Sequence, residues 1–242
     1  MQAYFTKNLL SHLLELRKRF IRILVVVGIF FLILFPFSSV IFHQFALPLL
    51  NQITPSHSLI ATTLTGAFFS PIKLCFVLAF FIGMPFILHQ IWGFIAPALY
   101  SKERLVSEIL LIGSTLLFYS GVFFAYFLIF PTIMAFLVHI APPGVAVTPD
   151  ITAYLSFSLR LLTAFGLAFE IPAIMFLLVR SRWISTKALE KKRRYVIVLN
   201  FTISMMLTPD VISQVSLAIP MCLLFELGLL VCKKFNPPTH SD

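Results

Sequence analysis

Charge is the property that this 242-residue sequence has least of. Only 11% of the residues are Asp, Glu, Lys or Arg, whereas 60% are hydrophobic and the mean hydropathy is +1.00. No charged residue occurs between Arg22 and Lys73. A water-soluble fold of this length cannot bury so much apolar side chain. The composition therefore excludes a soluble domain and predicts an integral membrane protein.

Motifs for catalysis and for metal binding are missing as well. The three cysteines lie inside apolar runs without CxxC spacing, and the six histidines form neither HExxH nor HxxxH. The sequence has no glycine loop for a nucleotide, no GxSxG and no serine–histidine or cysteine–histidine grouping that indicates a nucleophile. We therefore expect no enzymatic activity, no cofactor and no metal site.

Six apolar segments define one all-α polytopic membrane domain over residues 1–235, followed by a short polar tail at 236–242. The predicted transmembrane helices are 20–42, 71–95, 105–130, 153–179, 195–207 and 213–232. Pro36 and Pro85 are expected to kink or break the first two spans. Two stretches with almost no charge, 43–70 and 131–152, are expected to form extracytoplasmic caps.

The positive charges follow the ends of these spans. The net charge is +9, and Lys and Arg number five at the N-terminus, two in the second loop, seven in the fourth loop and two at the C-terminus. The first, third and fifth loops have none. Because Lys and Arg are enriched in cytoplasmic loops, this distribution predicts that both termini are cytoplasmic. It also explains the charge without a nucleic-acid partner.

The fifth span is unusually short. Its thirteen residues, 195–207, reach only ~20 Å at about 1.5 Å per residue, against a hydrocarbon core of ~30 Å. Either this segment re-enters the membrane without crossing it, or the bilayer thins around it.

An acidic residue, Glu170, lies about seventeen residues into the fourth span. An ionised carboxylate at that depth is costly, so Glu170 must face a wet cavity, hold a partner or stay protonated. Pro172 frees a backbone carbonyl close by. The sequence leaves two interpretations open: a functional intramembrane site, or a polar residue that a neighbouring helix satisfies.

The stretch SHLLELRKR, residues 11–19, precedes the first span. Its apolar residues continue at helical spacing into the span, and Glu15 and Arg19 lie one turn apart, close enough to pair. A basic helix end commonly binds lipid phosphates and fixes orientation. A patch that only binds phosphate has no use for a carboxylate at its centre, however, so Glu15 indicates a more specific role.

Six blocks of sequence resemble the TatC family, the multispanning receptor subunits of twin-arginine protein translocases. The blocks occur in the family's order and are SHLLELRKR, SPIKL, QIWGFIAPALYSKER, AYFLIFP, AFGLAFEIP and KKRRYVIVLNFTISMMLTPDVISQVSLAIPMCLLFELG. The last block departs from the family at Thr208-Pro209-Asp210, where many members have two prolines before the aspartate. That difference affects only the geometry of the outer turn.

The resemblance implies six helices in a cupped arrangement and a ligand, the signal peptide of a folded cargo protein with two consecutive arginines. It assigns signal recognition to Glu15, Arg17, Phe94 and Glu103. Planar carboxylates suit this ligand, because bidentate bonding to arginine discriminates against lysine. We expect Arg17 and Arg19 to hold the carboxylates in place.

The resemblance also implies partners and a location. The single-span subunits TatA and TatB are expected to dock along the fifth and sixth spans, where the family surface corresponds to Met205, Met206, Asp210 and Gln214. Lipid-facing packing by the methionines and helix capping by Asp210 are the alternatives. Several copies of the chain are expected in a complex in the bacterial inner membrane, and transport is expected to use the proton gradient.

Two other functions compete with this one. An ion-coupled small-solute transporter would be built on Glu170, but such proteins usually contain internal repeats with matching broken helices, and the two halves of this chain show no convincing similarity. A scaffold that only gathers single-span partners would not need Glu15 and Glu103 on the cytoplasmic face.

Overall fold

A computed structural model describes residues 2–50, 60–99, 104–139, 150–181, 183–208 and 211–235. Helices form almost all of this described part, and its only β-type pairing is a single bridge between Ile60 and Asp150. The chain divides into two compact units. Unit 1 contains Met1–Phe45 and Phe68–Thr115, and unit 2 contains Ala46–Ala67 and Leu116–Asp242.

The described residues up to position 124 form five helices. They are α1 (Gln2–Leu34), α2 (Ser38–Leu50), α3 (Leu64–Ile82), α4 (Met84–Leu99) and α5 (Arg104–Phe124). A 3₁₀ turn at Phe35–Phe37 joins α1 to α2, with Pro36 in its first turn. A proline at the start of a new turn loses no intrahelical hydrogen bond, so the helical segment continues through this turn.

This continuation corrects the predicted first span and first cap. The apolar helical segment extends over Leu13–Leu47 instead of 20–42. The predicted cap, 43–70, overlaps α2 up to Leu50 and α3 from Leu64. Because uncharged Ser, Thr and Pro residues are tolerated in an apolar helix, the composition of 43–70 did not mark the helix ends.

The second predicted span is broken, as expected, near Pro85. Helix α3 ends at Ile82, and α4 begins at Met84 with Pro85 in its first turn. Within unit 1, α1 packs against α4, and the Cys75 thiol of α3 lies 3.7 Å from the Leu34 carbonyl oxygen.

The third predicted span was wrong at its outer end. After α5, a π-helical turn at Ala125–Ile129 leads directly into α6 (Phe130–His139), so Pro131 does not end the helix. The Phe130 N–H bonds to the Ala125 carbonyl five residues back. We attribute the tolerance of Pro131 to this wider turn, which relieves the usual clash between a proline ring and the preceding turn.

The rest of unit 2 contains α7 (Ile151–Ala168), α8 (Ile171–Arg180), α9 (Thr186–Lys191), α10 (Arg193–Leu207) and α11 (Val211–Phe235). Helix α11 packs against both α8 and α10. One core cluster of this unit joins residues of α8, α9 and α11, namely Met175, Val179, Leu189, Phe225, Leu229 and Cys232.

Five helical segments of the described residues are long and apolar enough to cross a membrane: Leu13–Leu47, Thr65–Ile82, Leu110–Phe136, Ile151–Arg180 and Ser213–Lys234. The fifth predicted span corresponds to α10. At 15 residues, α10 reaches ~22 Å, which is short of the membrane core. The sixth crossing therefore stays a prediction, as does the single polytopic domain.

Candidate functional site

Glu15 and Arg19 form the ion pair that their spacing predicts. Arg19 Nη2 lies 2.7 Å from Glu15 Oε1, and Arg19 Nε donates to the same oxygen over 3.0 Å. The Glu15 side chain is 42% exposed. Within the described part of the chain both bonds end on Oε1, so Oε2 has capacity to accept from an incoming donor.

Arg19 also ties α1 to α4. Its Nη1 donates to the backbone oxygen and to the side-chain Oε1 of Gln90, both over 3.3 Å. Its Nη2 donates to the Gly93 carbonyl over 3.0 Å. Gln90 is buried, and the Arg19 side chain is only 20% exposed. The guanidinium therefore belongs to the packed interface between two helices of unit 1 and is not a freely solvated charge.

The other residues predicted to read the signal fall in three places. Phe94 is half-buried on α4, one turn beyond Gln90, and so lies on the face of α4 that Arg19 contacts. Arg17 is exposed on α1. Glu103 lies outside the described residues. Arg19, which bonds to Glu15, therefore also bonds to the face of α4 on which Phe94 lies.

Glu170 lies where the predicted fourth span is interrupted. Helix α7 ends at Ala168 and α8 begins at Ile171, with Pro172 in the first turn of α8. The Glu170 side chain is only 4% exposed. The sequence predicted one continuous span here, and Pro172 in the first turn of α8 accounts for the break. The burial of Glu170 is compatible with both interpretations of this residue.

The residues predicted to bind partner subunits differ in their surroundings. Met205 and Met206 are 69% and 78% exposed at the end of α10. Gln214 is half-buried on α11, where its Nε2 donates to the Phe201 carbonyl of α10 over 3.2 Å. Gln214 therefore links two helices of the same unit. Asp210 lies outside the described residues.

Asp150 is a structurally central residue that our sequence analysis did not single out. Its Oδ1 accepts from the backbone N–H groups of Thr152 and Ala153, which makes Asp150 the N-cap of α7. Its Oδ2 accepts from the N–H and the hydroxyl of Thr62 over 3.0 and 2.7 Å. These donors, led by the Thr62 backbone, lower the pKa of Asp150 from 3.8 to about 2. An Asp directly before an apolar helical run was the signal available in the sequence.

Two ion pairs connect the end of the basic loop and the start of α10 with α11. Arg193 Nη2 lies 2.8 Å from Glu226 Oε2, and Lys233 pairs with Glu190. The hydrogen bond from Lys233 holds the pKa of Glu190 below its ordinary value. Both pairs join the α9–α10 region to α11.

Comparison with known proteins decides the family. The family model described as TatC, Sec-independent protein translocase protein, matches residues 11–220. The chain belongs to the TatC family. The resemblance carried by the six sequence blocks is confirmed.

Curated TatC proteins match nearly the whole chain. The Sec-independent protein translocase protein TatC of Haemophilus influenzae is 48% identical over 233 residues, which cover 96% of this chain and 91% of that protein. The protein of the same name from Escherichia coli K12 is 47% identical and covers 95% of this chain and 89% of its own length.

Solved structures agree. A crystal structure of the twin-arginine translocase receptor TatC matches with a TM-score of 0.84 at 39% identity, covering 92% of this chain and 98% of that one. A second crystal structure of the receptor, in the detergent DDM, gives a TM-score of 0.85 at 38% identity and covers 92% and 99% of the two chains.

These matches establish a coarse function. The chain is a multi-pass membrane protein and a subunit of the Sec-independent, twin-arginine protein translocase. TatC is a transport family and not a family of enzymes. Among the described residues, no group of three or more His, Cys, Asp or Glu side chains could hold a metal ion.

Proposed function

We propose that this TatC-family chain is the receptor and core subunit of a twin-arginine translocase in the bacterial inner membrane, with both termini in the cytoplasm. It binds the twin-arginine signal peptides of folded proteins at its cytoplasmic face. It assembles with TatA, TatB and further copies of itself for export driven by the proton gradient. The charge distribution along the sequence and the solved receptor structures support this proposal.

One observation carries the signal-binding part of the proposal: among the described residues, Glu15 is anchored through Oε1 alone. The two hydrogen bonds from Arg19 fix the position of the Glu15 carboxylate through Oε1. The Glu15 side chain is still 42% exposed, so Oε2 can accept a hydrogen bond from a ligand. An incoming guanidinium gains a charge-assisted hydrogen bond at Oε2. The carboxylate needs little reorganisation to accept it, because Arg19 has already ordered the side chain.

A second carboxylate is required for two consecutive arginines. Glu103 fills this role in our proposal, with Phe94 offering an aromatic face against which a guanidinium can stack. A lysine pair would form weaker contacts, because an ammonium group cannot present the planar fork of arginine.

Partner subunits bind along α10 and α11 in our proposal. The exposed Met205 and Met206 support this surface, because flexible thioether side chains adapt to the shape of a partner helix. Asp210, which lies outside the described residues, is the fourth residue that we assign to partner binding. Gln214 contributes by holding α10 against α11 and thereby fixing the surface.

Photocrosslinking in membranes tests the proposal. A signal peptide with a photoreactive group beside its arginine pair is compared on the native chain, Glu15→Gln and Glu103→Gln, with a Lys-Lys peptide as the specificity control. We expect crosslinks near residues 15, 94 and 103 that both substitutions abolish and that the Lys-Lys peptide forms weakly. Crosslinking that ignores both carboxylates would reject the receptor site and favour a transporter built on Glu170.

A further inference from the structure

Arg19 uses every hydrogen-bond donor that a guanidinium has. The Nε–H and one Nη2–H go to Glu15 Oε1, the second Nη2–H goes to the Gly93 carbonyl, and the two Nη1–H groups go to Gln90. A guanidinium offers five N–H donors in a rigid planar fork. Arg19 is therefore fixed from two directions, by its own helix and by α4.

The sequence of α4 explains why an acceptor is available to Arg19. In an α-helix the carbonyl of Gly93 would accept from the N–H of residue 97, but residue 97 is a proline and has no N–H. The helix nevertheless continues to Leu99, so the Gly93 oxygen lacks its intrahelical donor. The Nη2 group of Arg19 supplies the missing hydrogen bond at 3.0 Å.

Gly93 also makes the space that the guanidinium occupies. A Cβ atom built on Gly93 would lie 2.8 Å from Arg19 Nη1 and 3.6 Å from its Cζ. A side chain at position 93 would therefore push Arg19 away from α4. Two features therefore favour the observed position of the Arg19 guanidinium. Gly93 has no side chain to displace it, and Pro97 has no N–H to compete with it for the Gly93 carbonyl.

We propose that Gly93 and Gln90 are positioning residues for signal recognition, acting through Arg19 on Glu15. They hold the guanidinium so that it covers Glu15 Oε1 and leaves Oε2 aimed at the signal arginine. This inference rests on the proposed function, in which Glu15 binds the signal. In this proposal Arg19 positions Glu15 and does not itself contact the peptide.

The test compares two glycine substitutions. Gly93→Ala places a methyl group against Arg19, whereas Gly28→Ala on α1 places one where no atom lies within 4 Å. Alanine favours a helix at both positions, so helix propensity cannot cause a loss at only one of them. The readout is the affinity of the purified full chain in lipid nanodiscs for a fluorescent twin-arginine peptide and for its Lys-Lys counterpart.

We expect Gly93→Ala to weaken twin-arginine binding by about fivefold, the size of one ordinary hydrogen bond, and to reduce the preference over Lys-Lys. Gly28→Ala should bind like the native chain. Arg19→Lys should behave like Gly93→Ala, because lysine has three donors and no planar fork. Equal binding by the two alanine variants would overturn the proposal.

A double-mutant cycle separates positioning from a general structural effect. If Gly93 acts through Glu15, Gly93→Ala should cost nothing further when Glu15→Gln is already present. An equal additional loss in that background would overturn the positioning role while leaving Glu15 as the binding residue. If Glu15→Gln alone does not weaken binding, the proposed function itself is contradicted.

Gln90→Met provides the second variant, in case Gly93→Ala does not fold. It removes the side-chain acceptor of Arg19 Nη1 and keeps similar length and burial. We expect the same direction of change in the preference for twin arginine, again absent in the Glu15→Gln background. A preference unchanged by Gln90→Met in a folded sample would contradict the role of Gln90.

Discussion

Glu15 and Asp150 are two carboxylates that the fold uses in opposite ways. Both carboxylate oxygens of Asp150 accept hydrogen bonds from the protein, Oδ1 from the start of α7 and Oδ2 from Thr62. In Glu15, only Oε1 accepts hydrogen bonds from the described residues, and both come from Arg19. In our proposal, the carboxylate with both oxygens bonded holds the structure together, whereas the carboxylate with a remaining oxygen binds the signal arginine.

The partners of the two residues differ for a physical reason. Asp150 is held by neutral backbone and hydroxyl donors that belong to unit 2, and these stabilise its charge without neutralising it. Glu15 is held by a full positive charge that α4 fixes in turn. If Glu15 binds the signal as we propose, its carboxylate must keep its orientation and stay accessible, and an arginine fixed by α4 meets both requirements.

The largest effect that would sharpen this comparison is on signal binding. Glu15→Lys places a second positive charge beside Arg19 and opposite the incoming guanidinium, so we expect affinity for a twin-arginine peptide to fall roughly a hundredfold. Asp150→Asn should leave affinity unchanged in the same binding assay. Comparable losses for the two variants would end the distinction between them.

A smaller effect, on stability, should have the opposite pattern. Asp150→Ala removes the N-cap of α7 and both bonds to Thr62, and we expect the Tm to fall by ~3 °C or more. Asp150→Asn keeps an N-cap oxygen and should lose less. Thermal unfolding of the purified protein measures this order, with Glu15→Gln as a control that should change the Tm less than Asp150→Ala does. An equal Tm for Asp150→Ala and the native chain would contradict the structural role.

The pH dependence follows from the lowered pKa of Asp150. Folding lowers this pKa from 3.8 to about 2, so the stabilisation is fully present above pH 3.8 and is lost as the pH falls towards 2. We expect the native chain to lose more stability than Asp150→Asn over this interval. Parallel curves for the two proteins between these pH values would show that Asp150 contributes nothing.

The smallest expected effect concerns the exposed pair Arg193–Glu226. Its side chains are 46% and 41% exposed, and pairs of this kind contribute about 0–1 kcal/mol and are screened by salt. We therefore expect Glu226→Gln to lower the Tm by less than Asp150→Ala, and the difference from the native chain to shrink at high salt. A larger, salt-insensitive loss would require a functional role for Glu226.

The features that depend on local spacing could be predicted from the sequence. The pairing of Glu15 with Arg19 and the break near Pro85 follow from distances along one helix, and both are confirmed. The helix end at Pro131 was predicted wrongly, because a local rule for proline cannot anticipate a preceding π-turn. The contact of Arg19 with Gly93 joins residues 74 positions apart, which no local pattern reveals.

The proposed signal site could be predicted from the sequence only in part, for the same reason. Residue types and family resemblance selected Glu15, Phe94 and Glu103, but they did not show that one oxygen of Glu15 is occupied. The position of Asp150 before an apolar run predicts an N-cap, but this local pattern does not reveal a second, distant partner. Its second partner, Thr62, lies 88 residues away.

The most direct test of the central claim is the ratio of affinities for a twin-arginine peptide and a Lys-Lys peptide, measured by titration on the native chain and on Glu15→Gln. The account predicts a preference of about tenfold or more for twin arginine in the native chain, falling towards one in Glu15→Gln. An undiminished preference in Glu15→Gln would contradict the claim that the Glu15 carboxylate binds the signal arginine.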